Sequence, residues 1–270
     1  MGRTLADAVR GWVSLRSAGR RPATVKYNKE LEKIILDNWP GRLSADLEQI
    51  TECNVGDFVL RVAHYSSPRF NALVGLLKSI LPQAARQLRR RKVSPKLVHL
   101  PNQEEFASIL QELDKAKHGN AGLMVRFLAL TGLRISEARR LCWQDVTERG
   151  ILVPPLVTKN GRARMIPWIG ELRSVVDRLR RVSDGIAILP QSHCRKALHE
   201  AARRAGVKIR LTHHDLRRLF ATRVIESGVD LPTAARWMGH SDGGALLGKT
   251  YFHLMDRHSE EMASRVSIQV

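Results

Sequence analysis

Residues 92–101 read KVSPKLVHLP, a stretch with Pro95 and Pro101 and no helical period, flanked on both sides by strongly periodic sequence. Proline lacks a backbone donor, locks its own φ and pushes the preceding residue out of the α region, so no helix runs through this segment. The chain is therefore expected to fold as two domains: a helical one over 1–95, a linker over 96–101, and a second over 102–270 whose C-terminal tail begins near 252. With 270 residues and 43% hydrophobic content, each has enough apolar material for a core of its own.

Apolar positions before the linker recur at three- and four-residue spacing. Leu31, Ile34 and Ile35 follow Pro22, which suits a first helical position, and Val55, Phe58, Val59 and Val62 follow Asn54, which can cap. Phe70, Leu73, Leu77, Leu81 and Leu88 form a third periodic set, interrupted by Pro82 and ending in the run Arg89, Arg90, Arg91, Lys92. After Asn102 the face Phe106, Ile109, Leu110, Leu113 predicts a helix, and the nearly continuous apolar run 122–130 predicts a buried one that stops at Gly132. The pattern then changes. Residues 151–153, 156–158 and 163–168 are β-prone, and Lys159-Asn160-Gly161-Arg162 carries an Asn-Gly hairpin signal between the last two. Helices resume near 170. The fold expected is mainly α with a small antiparallel β-sheet, the second domain being mixed α+β.

Charge narrows the partners. The chain carries 45 Lys and Arg against 26 Asp and Glu, a net +19, and the excess is spread over both domains. Such a surface attracts polyanions, so double-stranded DNA is the first partner to consider, with Arg89, Arg90, Arg91 and Lys92 as one candidate contact. Cys53, Cys142 and Cys194 are odd in number and widely spaced, which fits neither a zinc site nor a disulfide framework. No metal site is expected. The N-terminus is charged where a signal peptide is apolar, and no run approaches the ~20 apolar residues of a membrane span. A cytoplasmic, nucleoid-associated protein with no membrane contact is expected.

The chemistry concentrates in three ordered features: Thr131-Gly-Leu-Arg134-Ile-Ser-Glu137, then His214-Asp-Leu-Arg217, then Gly239-His240 followed by Tyr251. Displacement at a phosphodiester adds negative charge to oxygens that already carry it. Two guanidiniums can each present a planar fork to those oxygens, which lysine cannot reproduce, and Arg134 and Arg217 are the candidates. His214 and Arg217 stand at i and i+3 near the start of a helix with Leu216, Leu219, Phe220 and Val224 on its apolar positions, so both can face one phosphate.

In this order and spacing the set resembles the tyrosine recombinase, or phage integrase, family. The resemblance implies an N-terminal helical, SAM-like core-binding domain and a catalytic domain that together clasp a duplex. It implies that His214 and His240 hydrogen-bond the scissile phosphate and assist proton transfer, and that Glu137 organises the site without reacting. Lys159 matches the family's hairpin lysine, the acid for the departing 5′ oxygen, and Arg162 and Arg164 beside it are expected on backbone phosphates. The nucleophile is expected to be Tyr251, since Tyr27 and Tyr65 fall in the helical domain. A phenol is easier to ionise than a serine hydroxyl and leaves readily in reverse, so strands rejoin through a 3′-phosphotyrosine without ATP, metal or any cofactor. The activity implied is site-specific recombination, as in the integration of a mobile element. Its partners would be four copies of the chain on two DNA sites and an accessory DNA-bending or directionality protein. The spacing from His240 to Tyr251 is longer than in many members, which leaves the path of that loop open.

Three other readings share parts of this evidence. A DNA-binding regulator without catalysis would keep the charge and the fold, and a type IB topoisomerase would keep the chemistry without pairing two sites. Residues 243–250, GGALLGKT, also match a nucleotide phosphate loop in form, but they follow helical sequence and not the buried strand such a loop requires.

Overall fold

The computed structural model describes residues 3–93, 100–115, 120–158, 161–190, 193–240, 242–245, 247–248 and 263. Lys159, Tyr251, the tail from 252 apart from Ala263, and most of the linker expected over 96–101 lie outside the described residues. The chain divides into two compact units, 1–96 and 97–270.

The first unit is built from α1 (Leu5–Ser17), α2 (Pro22–Asn38), α3 (Glu52–Arg61) and α4 (Ser67–Ile80). Pro22 occupies the first turn of α2, where its missing donor costs nothing. Asn54 is not the cap of α3: the helix begins earlier, at Thr51, whose hydroxyl accepts the Asn54 N–H while the Asn54 side chain accepts the Thr51 N–H. Helix α4 stops at Ile80, two residues before Pro82. Leu31, Ile35, Phe58, Leu73, Leu76 and Leu77 make its core.

The second unit contains α5 (Gln103–Asp114), α6 (Asn120–Thr131), α7 (Ile135–Ala138), β1 (Val146–Thr147), β2 (Gly150–Val153), β3 (Arg164–Pro167), α8 (Leu172–Val182), α9 (Arg195–Arg204), α10 (His213–Glu226) and α11 (Leu231–Met238). Helix α6 is buried on nearly every side, with Met124, Val125, Phe127 and Leu128 fully enclosed, and ends at Gly132. Gly132 takes φ +60°, and a side chain there would collide with the ring of Phe220 in α10. That close approach brings the turn after α6 against α10.

The sheet departs from the expected strands. Its order is β1-β2-β3, antiparallel throughout, with Ile151 opposite Ile166 and Val153 opposite Arg164. Asn160, half of the Asn-Gly signal, lies outside the described residues; residues 156–158 are not a strand, and the described ladder ends at Val153 opposite Arg164. Pro154 and Pro155 have no donors to continue it, and their carbonyls instead accept Val157 N–H and Thr158 N–H in consecutive turns. Strand β1, only two residues long, carries no alternation that sequence could reveal.

Helix α10 has apolar residues on two sides. Leu216 belongs to the main core with α6, whereas Phe220, Val224 and Ile225 pack with Ala234, Ala235 and Met238 of α11. Helix α10 is thus fixed between the core and α11, which sets the position of Arg217 on it.

Candidate active site

Arg217 is a charged residue with only 2% of its surface exposed. One terminal nitrogen donates to the carbonyl of Gly132, and the other donates at 2.8 Å to the carbonyl of Met238. It therefore joins the turn after α6 to the C-terminus of α11.

Arg134 begins α7, with its side chain about one-third exposed. Glu137, buried one helical turn later, accepts the Arg134 backbone N–H at 3.2 Å and its Nη1 at 2.9 Å. A third donor comes from β3: Arg164 Nη2 lies 2.6 Å from Glu137 Oε2. Burial opposes the charge of Glu137, but the hydrogen bond and positive charge of Arg164, with Arg134 beside it, outweigh burial and hold its carboxyl below the ordinary range.

His214 lies in the first turn of α10, behind a capping box in which Thr212 and Asp215 satisfy each other's backbone N–H groups. The residue faces solvent, yet its pKa is lowered, first by partial desolvation and then by Arg218 and Arg217. The positive end of the helix dipole acts in the same direction. His240 follows Gly239, which ends α11 in the left-handed conformation at φ +70°. Its pKa falls to about 4, chiefly through burial and then through Arg217 and Arg134. The imidazole is neutral at pH 7, and its Nδ1 is buried without a partner among the described residues.

Arg134, Glu137, His214, Arg217 and His240 therefore converge, although more than a hundred positions separate the first from the last. A cavity of about 330 Å³ beside them is lined by Arg162, Arg164, Arg236, Gly239, His240 and Gly243. At pH 7 the group offers fixed cations beside uncharged imidazoles, an arrangement suited to holding a phosphate whose charge grows during reaction.

Other expected contacts fall elsewhere. Arg164 is not on the surface: its side chain is 4% exposed, with Nη2 on Glu137 and Nε on the carbonyl of Trp237, while its Nη1 is buried with no hydrogen-bond partner among the described residues. Arg162 is exposed. In the first unit Arg89, Arg90 and Lys92 are exposed, whereas the Arg91 guanidinium stacks 3.7 Å from the Phe70 ring centroid and donates to the carbonyls of Ala63 and Tyr65. Arg91 secures its own domain. His213 takes a structural part, its Nε2 accepting the backbone N–H of Cys194. The segment before Gly243 is helix α11, which removes the strand that a nucleotide phosphate loop needs.

The phage integrase family model matches residues 101–258, more than half of the chain. The chain belongs to the phage integrase family. Among curated relatives, the tyrosine recombinase XerA of Pyrococcus furiosus is 29% identical over 228 residues, 77% of this chain and 78% of that protein. The tyrosine recombinase XerD of Shewanella oneidensis is 29% identical over 172 residues, covering 55% of this chain and 57% of its own length. Among solved structures, a lambda integrase tetramer bound to a Holliday junction aligns with 90% of this chain and 79% of its own at TM-score 0.74 and 18% identity. A Tn1549 transposon integrase in complex with circular intermediate DNA covers 98% of this chain at TM-score 0.75 and 18% identity. The phage integrase fold is thus shared across both units.

Sequence reasoning missed the part that backbone carbonyls play in this member of the family. Gly132, Trp237 and Met238 each hold an arginine through a main-chain oxygen, which no side-chain pattern records.

Proposed function

We propose that the protein is a site-specific DNA recombinase that breaks and rejoins strands through a 3′-phosphotyrosine on Tyr251. The observation that carries this reading is the convergence of Arg134, Arg217, His214 and His240, with both histidines shifted toward their neutral forms by burial and by the arginines. Arg134 and Arg217 neutralise the non-bridging oxygens of the scissile phosphate. The Tyr251 oxygen bonds to phosphorus as the bond to the 5′ oxygen breaks, and Lys159 delivers a proton to that leaving oxygen. The neutral imidazoles of His214 and His240 hydrogen-bond the phosphate and can take up the phenol proton. Attack by a free 5′ hydroxyl reverses the step and seals a strand. Four copies on two duplex sites would exchange strands in pairs, with an accessory DNA-bending protein where the sites require one. Arg89, Arg90, Lys92 and Arg162 would contact phosphates outside the reacting one.

The test uses nicked suicide duplexes drawn from DNA flanking the gene, incubated without metal or ATP with the protein and its Tyr251→Phe variant. The expected result is a protein–DNA adduct that survives denaturation and is absent from the variant. Tight binding with no adduct on any flanking sequence would make the chain a DNA-binding regulator.

A further inference from the structure

The C-terminus of α11 leaves four carbonyls without helical partners, as every helix does. Ala235 O accepts His240 N–H and Arg236 O accepts Gly239 N–H, which is the ordinary backbone solution. The other two are taken by arginines from distant elements: Met238 O by Arg217 and Trp237 O by Arg164 Nε at 2.9 Å. Arg217 is already part of the phosphate site. Arg164 is the residue whose role is unassigned.

Its other end is as closely held. Nη2 reaches Glu137 at 2.6 Å, and Glu137 is the group that holds both the backbone and the guanidinium of Arg134. The guanidinium of Arg164 also lies flat on Gly239, so close that a Cβ there would fall 2.8 Å from its Cζ. One buried side chain thus touches the partner of Arg134 on one side and, on the other, Trp237 and Gly239, which lead into His240.

From this geometry we infer that Arg164 is a positioning residue, a strut that sets Arg134 and His240 at a fixed separation for one phosphate, and not a DNA contact. The inference rests on the recombinase reading for its meaning, though its geometry can be tested without catalysis. A lysine cannot do the same work, since one ammonium cannot hold a carboxylate and a carbonyl in the divergent geometry of a planar fork.

The experiment compares the full chain with Arg164→Lys, Glu137→Gln and the double variant carrying both. Four properties are measured: thermal stability, the rate of Tyr251 adduct formation at saturating protein, the slope of log affinity for duplex against log salt, and the ring resonances of His240 at neutral pH, assigned by their loss in His240→Gln. In folded Arg164→Lys the adduct should form on the order of 10- to 100-fold more slowly, the cost of a displacement near 1 Å. The salt slope should stay unchanged, the His240 resonances should move although the charge at 164 is retained, and the losses of the two single variants should not multiply in the double. In Arg164→Met combined with Glu137→Gln, which removes the cation at 164, a slope shallower by about 0.9, the value for one phosphate, with an unchanged saturated rate would make Arg164 a DNA contact and overturn the inference. So would a wild-type rate with unmoved His240 resonances. If the unaltered protein forms no adduct, the recombinase reading fails, and the His240 resonances alone decide the strut. Should Arg164→Lys not fold, Arg164→Met with Glu137→Gln removes the charged pair together and is read in the same way.

Discussion

At the scale of single residues, the site works by keeping some groups charged and others neutral within one small volume. Glu137 shows the first half: burial favours its protonation, yet two arginines reverse that and keep it ionised. Removing Glu137 leaves the buried Arg164 without its carboxylate, at a cost of about 3–5 kcal/mol, whereas removing Arg164 leaves Glu137 still paired with Arg134 and should cost less. His240 shows the second half. Its pKa in the folded protein is about 4, against roughly 6.5 in an unfolded chain, so the unfolded state binds more protons between those values. The stability contributed by neutral His240 is present above pH 6.5 and is lost as the pH falls toward 4. The melting temperature should therefore drop more steeply across that window in the native chain than in His240→Gln. Equal slopes in a calorimetric series would show that this imidazole is not held neutral.

Among elements, α11 is the one whose end matters most, because His240 leaves directly from it. Gly239 serves that end in two ways: it adopts φ +70°, and it leaves room for the Arg164 guanidinium lying on it. Gly206, just past α9, adopts φ +73° with nothing within 4 Å of an added Cβ. Alanine at Gly206 should lower stability only by the left-handed backbone cost, about 1–2 kcal/mol per residue. Alanine at Gly239 should cost more than this, and should also slow adduct formation, because Arg164 must move. Chemical denaturation of both variants checks the difference, and equal losses would mean that Arg164 adjusts freely.

The two units have separate cores, and each should unfold as a cooperative structure of its own. Fragments covering 1–95 and 100–270 are expected to give sharp thermal transitions separately. Within the full chain, Phe58→Ala should weaken the first transition and Phe127→Ala the second, each by about 3–5 kcal/mol, since both side chains are fully buried. A single transition shifted equally by either substitution would mean that the units fold as one.

Much of this was legible in the residues themselves. The prolines of 92–101 and the helical periods around them follow from local sterics, and the motif residues announce themselves because guanidinium, imidazole and phenol are rare in such an order. The sheet was only half legible, since β1 is too short to show a period and the end of β2 is set by Pro154 and Pro155 more than by the Asn-Gly signal. The placement of arginines was not legible at all. Arg91, Arg162, Arg164 and Arg217 are alike as letters, but only folding decides which side chain meets solvent, an aromatic ring, a carboxylate or a carbonyl. Sequence alone determined which chemical groups this protein has for handling a phosphate. The tertiary structure decided which arginines face solvent and which are held by carboxylates and carbonyls, because main-chain oxygens at helix ends come together only when the helices pack.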